Sequence, residues 1–380
     1  MKAHDHHSHL DLGRQLAQAF ASRADEADKK GALPAADVQA LKQSGYLGLS
    51  VPQEFRGWGL SLRDCVAAQL ELAQGSPSTA MVAGMQLHIF GHQRESRTWR
   101  EEKYGEFCLA AATGSLFNSL ASEPELGSPS RGGLPGTTAT AKDGGYVICG
   151  RKTWSTGGQH LTHLLVRVAL NDEPAIILVK QNTPGLSWLN TWSDSLSLRA
   201  SDSHDALFDD AWVPADHLVE QGQGKKSHNI WFPLIMSSVY LGAALAARHS
   251  VIRFALERIP TALGQPIATL PKIQRQIGEI DIELQAARSF LLAVAGEWTG
   301  NEADGEQFLA RIAAAKTFST ETANRVTEKA LQIAGGQGIT RALPLERYFR
   351  DVRAGSMQPP SGDTALELVG RAAIYDLKER

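Results

Sequence analysis

Hydrophobic positions along the chain change rhythm twice. Up to about residue 115 they fall at helical spacing: Leu10, Leu16, Ala17 and Phe20 share one face, and Asp37, Val38, Leu41 and Leu47 mark a second helix. Pro34 stands near the start of that second helix, where its missing N–H does no harm. Residues 62–73 predict a third helix, punctuated by Gly75-Ser76-Pro77-Ser78. Residues 79–90 are apolar and rich in small side chains, as a buried helix requires.

From 116 to 218 the pattern shortens. Tyr146-Val147-Ile148, residues 164–168 and residues 175–179 are brief runs of strand formers. Turn formers part them: Asp143-Gly144-Gly145, Asn171-Asp172-Glu173-Pro174 and Thr183-Pro184-Gly185. Such spacing leaves no room for crossover helices, so the sheet is expected to be antiparallel, a small barrel or sandwich.

Beyond 219 the helical period returns in longer elements. Ile273, Ile277, Ile280, Leu284, Ala287, Leu291 and Val294 alternate spacings of four and three, the seam of a helix packed on other long helices. Phe308, Ile312, Ala315, Val326, Ala330 and Ile333 mark a second, and residues 234–256 and 364–377 supply two more. The predicted class is α+β, with an all-α domain (1–115), an antiparallel β-barrel or sandwich (116–218) and a four-helix bundle (219–380). Apolar stripes alone are core and name no ligand.

Composition narrows function mainly by exclusion. Of 380 residues 43% are hydrophobic and 21% charged, which is globular, and a net charge of -3 gives no electrostatic basis for binding nucleic acid or anionic membrane. Lys225-Lys226 reads as a solvated loop. Cys65, Cys108 and Cys149 show no CxxC or zinc spacing and suit a reducing compartment. No apolar run is expected to span a bilayer and the N-terminus lacks a signal core, so a cytoplasmic location is expected. His4, His6, His7 and His9 read as a chain end and not as a metal site.

Local motifs then point to chemistry. Residues 45–52 (GYLGLSVP) precede Gly57-Trp58-Gly59-Leu60; residues 121–128 read ASEPELGS; residues 150–156 read GRKTWST. Residues 196–201 lead to Val213-Pro214, and residues 332–338 (QIAGGQG) precede Arg350-Asp351. In this order and at these separations they resemble the acyl-CoA dehydrogenase superfamily along most of the chain. The resemblance implies FAD, with FMN as the alternative, a small-molecule substrate such as an acyl-CoA, an electron acceptor or flavin reductase, and a homodimer or homotetramer. It assigns the cofactor to Ser122, Gly127, Ser128, Trp154, Thr156, Gln332, Gly335, Gly336 and Ser361.

The residue types suit a flavin. A flat ring takes an aromatic wall from Trp154 and a hydroxyl from Thr156, two residues on and expected on the same strand face. Ser122, Gly127 and Ser128 offer hydroxyl and backbone groups, and Gly335-Gly336 offer bare N–H groups at a helix end. The plainer readings are a core tryptophan and a helix C-cap. The co-occurrence favours the functional one.

Departures bear on the reaction. Family dehydrogenation needs a glutamate after the R-D-x-R stretch, and Pro359 stands in its place with neither carboxylate nor N–H. The region matching an alternative glutamate position, residues 236–240 (MSSVY), has no acid either. The arginine of the R-x-x-F-G pyrophosphate motif is altered, since residues 260–264 read PTALG. Asp363 is the nearest carboxylate, one turn past Pro359, with Glu367 a turn further; its bland reading is a favourable charge at a helix start. The N-terminal and flavin-loop motifs are the dehydrogenase version, so the leading reading is oxidation of an acyl-thioester-like substrate at Cα–Cβ with a relocated base; the alternatives are a flavin monooxygenase and a non-catalytic flavin binder.

Overall fold

Helix α1 (Ser8–Lys30) lays Leu16, Ala17, Phe20 and Ala24 into the first core layer, and α2 (Ala35–Ser44) follows with Val38 and Leu41 buried. The computed structural model describes residues 8–126, 133–222, 228–300 and 302–379. The sequence sets the next two helix starts directly. Ser61 caps α3 (Leu62–Ala73) by accepting the Asp64 N–H, and Ser76 caps α4 (Pro77–Ser96), whose Pro77 occupies the first turn. Helix α4 is buried on nearly all sides, as its small residues require, and α5 (Glu101–Ala112) completes the helical part.

One sheet of eight strands follows: β1 (Phe117–Leu120), β2 (Thr138–Lys142), β3 (Gly145–Lys152), β4 (His163–Leu170), β5 (Glu173–Lys180), β6 (Leu186–Leu189), β7 (Asp205–Pro214) and β8 (Leu218–Gln221). Its order is β6-β7-β3-β2-β4-β5-β8, with β1 added beside β4. Two hairpins close through two-residue turns whose residues both take positive φ: Asp143-Gly144 (50° and 72°) and Asn171-Asp172 (53° and 60°). Most pairings are antiparallel, as the short spacing predicts. Two are not: β1 runs parallel to β4 from Phe117↔His163, and β2 meets β4 in parallel at Thr138↔Ala169. The β2–β3 hairpin and its flanking loops serve as the crossover, a task that does not require a helix.

The C-terminal bundle comprises α6 (Trp231–Glu257), α7 (Pro271–Glu297), α8 (Glu302–Ala334) and α10 (Gly362–Glu379), with the short α9 (Leu345–Asp351) before the last. The predicted α7 seam is inside: Ile273, Ile280, Leu284, Ala287, Leu291 and Val294 are buried. Helix α6 corrects one expectation. It is long and apolar enough to cross a membrane by length and composition, with 72% of the apolar window buried. It packs against α3, α4, α7 and α8, so an apolar surface all round is what its position demands.

The three parts are tied by polar contacts from the Arg350-Asp351 motif. Asp351 accepts the Leu198 N–H at 2.8 Å, and its carbonyl accepts Ser197 Oγ at 2.5 Å. Arg350 grips Asp28 of α1 with both guanidinium nitrogens, at 3.1 and 2.7 Å. Burial pushes the Asp351 carboxyl up to about 6, against Arg347 and the Leu198 hydrogen bond.

Candidate functional site

Strand β3 ends at Lys152, so Trp154 and Thr156 lie beyond it in a loop and the expected two-residue strand periodicity does not apply. They have opposite surroundings. Trp154 takes φ 54°, rare for a bulky residue, and its ring is 58% exposed, whereas Thr156 is buried. A strained, uncovered indole is what a flat ligand would cover.

The loop is fixed from behind. The Thr153 N–H bonds the Ser122 carbonyl at 2.9 Å, the Ser155 N–H bonds the His204 carbonyl at 3.0 Å, and Asn118 Nδ2 donates to the Thr156 carbonyl at 2.9 Å. Beneath it, Lys152 Nζ meets Glu123 Oε1 at 2.5 Å, and Glu123 also accepts the Gly136 and Thr137 N–H groups. Burial opposes the Glu123 charge, but Lys152 and these hydrogen bonds outweigh it and hold the carboxyl below its usual range. Glu123 was not singled out in the sequence; its signal was an acid and a lysine at fixed places in two separate motifs.

Three buried hydroxyls around the loop, Thr137 Oγ1, Thr153 Oγ1 and Ser155 Oγ, have no hydrogen-bond partner. Orphaned hydroxyls beside an uncovered indole fit a polar-edged planar group. Ser122 is half-buried at the same place, while Gly127 and Ser128 lie outside the described residues. Gln332, Gly335 and Gly336 are exposed at the end of α8; Gly335 takes φ 58°, and an added Cβ at either glycine would meet nothing within 4 Å. Ser361 is exposed, and its carbonyl accepts the Ala365 N–H at 3.4 Å in the first turn of α10.

A second feature lies within the bundle. A narrow crevice, with no room for a water-sized sphere, is lined by Pro233, Met236, Ser237 and Tyr240 of α6, Lys316 and Thr320 of α8, and Gly355, Gln358 and Pro359 of the segment before α10. Both regions where the resemblance looks for a glutamate therefore meet here, and no Asp or Glu lines the crevice. Asp363 does not line it; it is exposed in the first turn of α10. Gly355 is closely packed here, since a Cβ would stand 3.0 Å from Thr320 Cγ2 and from the Tyr240 ring.

Lys316 was not anticipated from sequence. It is 3% exposed, its amine donates to the Ser356 carbonyl at 3.3 Å, and burial pushes it down to about 8 against the pull of Glu321. Tyr240 Oη and Gln358 Oε1 are buried without hydrogen-bond partners. Helix α4 joins this crevice to the tryptophan loop: Met81 Sδ lies 4.0 Å from Gln358 Nε2, and Val82 Cγ1 lies 3.5 Å from where a Gly157 Cβ would stand. Gly335 is nineteen residues along α8 from Lys316, about 28 Å away at helical rise, so it serves a different place.

Of the amino-terminal histidines, His4, His6 and His7 lie outside the described residues, as do Lys225 and Lys226. Among the described residues, no group of three or more His, Cys, Asp and Glu side chains is arranged to hold a metal ion.

Comparison with known proteins agrees with this architecture. The acyl-CoA dehydrogenase N-terminal, middle and C-terminal domain families match residues 4–96, 119–211 and 234–358. YdbM of Bacillus subtilis (strain 168), which carries an acyl-CoA dehydrogenase name, is 36% identical over 96% of this chain and 95% of its own length. The mitochondrial short-chain specific acyl-CoA dehydrogenase of Bos taurus is 30% identical over 90% of this chain and 84% of its length. Among solved structures, KijD3 in complex with FMN and a dTDP-amino sugar superposes with a TM-score of 0.83 at 27% identity, over 97% of this chain and 93% of that one.

Proposed function

The chain belongs to the acyl-CoA dehydrogenase family, and from that premise we propose a flavin-dependent monooxygenase that works without a carboxylate base and draws reduced flavin from a separate reductase. The observation that carries this reading is the lining of the α6–α8 crevice, where Pro359 and residues 236–240 meet without an acid. Removing an α-proton from a thioester needs a base within hydrogen-bond reach of it. Oxygen transfer has no such requirement. The likeness to KijD3, solved in complex with FMN, supports FMN as the flavin. So does the exposed turn at 260–264, which carries no cation for a pyrophosphate.

In this reading Trp154 covers one face of the ring, and Thr156, Thr153 and Ser155 supply hydroxyls to its polar edge. Gln332, Gly335 and Gly336 close the site of a neighbouring copy. Self-association is supported by the uncovered stripe Leu366, Ile374 and Leu377 on α10, which are 60%, 58% and 79% exposed. A bound reduced flavin supplies the electron pair that activates dioxygen. The chain's own part is to hold the ring and keep water from it.

A second reading, dehydrogenation of an acyl-thioester, is favoured by the buried amine of Lys316 in the same crevice, a candidate base. Two measurements separate the readings. Saturated acyl-CoAs added anaerobically to the oxidised holoprotein should leave its flavin band intact, while chemically reduced protein, once oxygen is admitted, should consume it and oxygenate an added substrate. Bleaching by any acyl-CoA would overturn the monooxygenase reading in favour of dehydrogenation.

A further inference from the structure

A separate crevice opens between α3, α6 and α7, and it shares no residue with the one that holds Lys316. It also has room, about 250 Å³. Leu245 of α6 and Leu284 of α7 give it an apolar part. Charged side chains line much of the rest. Arg248 and Arg288 stand against Glu71 and Asp281, so the total is balanced. Hydrogen-bonding capacity is not.

The carboxylates are largely occupied. Asp281 Oδ1 accepts Arg248 Nε at 2.7 Å, and its Oδ2 accepts Gln285 Nε2 at 2.7 Å. Glu71 Oε2 accepts Gln74 Nε2 at 3.2 Å and has Arg14 Nε of α1 at 3.4 Å, an arginine shared with Asp11. The cations keep most of their donors. Arg248 uses Nε alone, and its terminal nitrogens make no hydrogen bond among the described residues. The Arg288 side chain makes none there either; its Nη2 lies 3.6 Å from Glu71 Oε1, a charge contact only. The His249 ring is likewise without a hydrogen bond among the described residues. Burial, with Arg248 and Arg253 nearby, pushes it below the usual histidine range against the pull of Glu71.

Two guanidiniums with a single hydrogen bond between them suit a ligand rich in acceptors, which is an oxyanion. An inorganic oxyanion would leave Leu245 and Leu284 uncovered, so the ligand needs an apolar body. Its charge is limited as well. With the two arginines and two carboxylates balanced, a proton on His249 is what the lining residues have left to meet an added charge. That suits a monoanion and not a dianion. We propose that this crevice binds a small organic carboxylate, its oxygens on Arg288 and Arg248 beside His249 and its apolar body on Leu245 and Leu284. Neither Trp154 nor Lys316 lines it, so the proposal stands whichever flavin reaction the chain performs.

The test titrates the flavin-loaded full chain with benzoate, benzyl alcohol and inorganic phosphate by isothermal calorimetry, following the flavin absorption band alongside. Benzoate should bind at one site per chain, about tenfold or more tightly than either comparison compound. Benzyl alcohol keeps the apolar ring without the charge, and phosphate keeps the charge without the ring. The flavin band should stay unchanged as benzoate binds. Arg288→Gln, at an exposed side chain without a hydrogen bond to lose, should weaken benzoate about tenfold. Arg288→Lys, which keeps the charge and loses the planar fork, should recover part of that loss. Equal affinity for benzoate and benzyl alcohol, or a stronger hold on phosphate, overturns the proposal. So does benzoate binding that Arg288→Gln leaves untouched, or that shifts the flavin band and so places the carboxylate at the ring. An absence of benzoate binding overturns it outright.

Discussion

Lys152 Nζ lies 2.5 Å from Glu123 Oε1 with both side chains closed off from water, and this contact explains why two separate motifs occur together. Glu123 sits one residue after Ser122, and Lys152 two before Trp154. The pair, with the Thr153 N–H on the Ser122 carbonyl, fixes the two ends of the proposed ring site against each other. Glu123→Gln keeps an acceptor for only one of the Gly136 and Thr137 N–H groups, sets an amide NH2 against the other and strands a buried ammonium. Removing one partner of such a pair costs about 3–5 kcal/mol. Urea unfolding should show a loss of that size, and Glu123→Gln with Lys152→Met should recover much of it. A loss no larger than a surface substitution gives would rule the pair out as a structural clamp.

The same contact sets an acid limit. The Glu123 carboxyl is held below its ordinary range, so the native state binds fewer protons than the unfolded one just below that range. Its stabilisation is fully present above the unfolded pKa and is lost as pH falls through the lowered native value. Unfolding free energy of the wild type should therefore drop more steeply below about pH 4.5 than that of the double variant. Parallel curves would contradict the assignment.

Trp154 is where ligand and fold make opposite demands. Its indole is 58% exposed, so truncation removes little packing. Trp154→Ala should change stability by about 0.5 kcal/mol or less, as surface substitutions do, yet weaken flavin binding about tenfold or more through lost stacking. Flavin content equal to wild type would sink the aromatic-wall assignment.

How far the sequence goes depends on the range of the interaction that decides each feature. The helices of the bundle and the capped starts at Ser61 and Ser76 are local matters, written in periodicity and side-chain chemistry a few residues apart. The Asp143-Gly144 and Asn171-Asp172 hairpins are equally local. Parallel pairing of β1 with β4 is not, because it joins residues more than forty positions apart. The same holds in the site. Trp154 and Thr156 stood out by motif, but their opposite exposures arise from a loop conformation held by Ser122, His204 and Asn118. Lys316 gave no signal at all, since a lysine on a long amphipathic helix reads as a solvated charge until α6 and the Gly355–Pro359 segment are seen to close over it.

Asp363 provides a control. It is exposed at the start of α10 and lies outside the crevice, so its charge meets mainly the helix dipole. Asp363→Asn should cost about 0.3–1 kcal/mol at low salt and leave turnover with a reactive substrate unchanged. A fall in turnover of tenfold or more would make it a participant in the chemistry.

Lys316 supplies the test that bears most directly on the reaction. Its amine is pushed down to about 8 by burial, while the unfolded chain returns it to the ordinary lysine range near 10.5. Between those values the unfolded state holds the extra proton, so stability rises with pH across that window and the lysine is a burden below it. Lys316→Met should remove the rise, and a slope unchanged from wild type would place the amine in water. The catalytic consequence differs between the two proposed readings. Were the neutral amine the base of an acyl-CoA dehydrogenation, flavin bleaching would climb tenfold per pH unit up to about 8 and vanish in Lys316→Met. For a monooxygenase, no acyl-CoA bleaches the flavin at any pH, and oxygen-dependent turnover survives the substitution wherever the Ser356 carbonyl stays in place. Lysine at this position is thus informative under either outcome, because its amine is the one basic side chain among the residues lining the crevice in which a glutamate was to be expected.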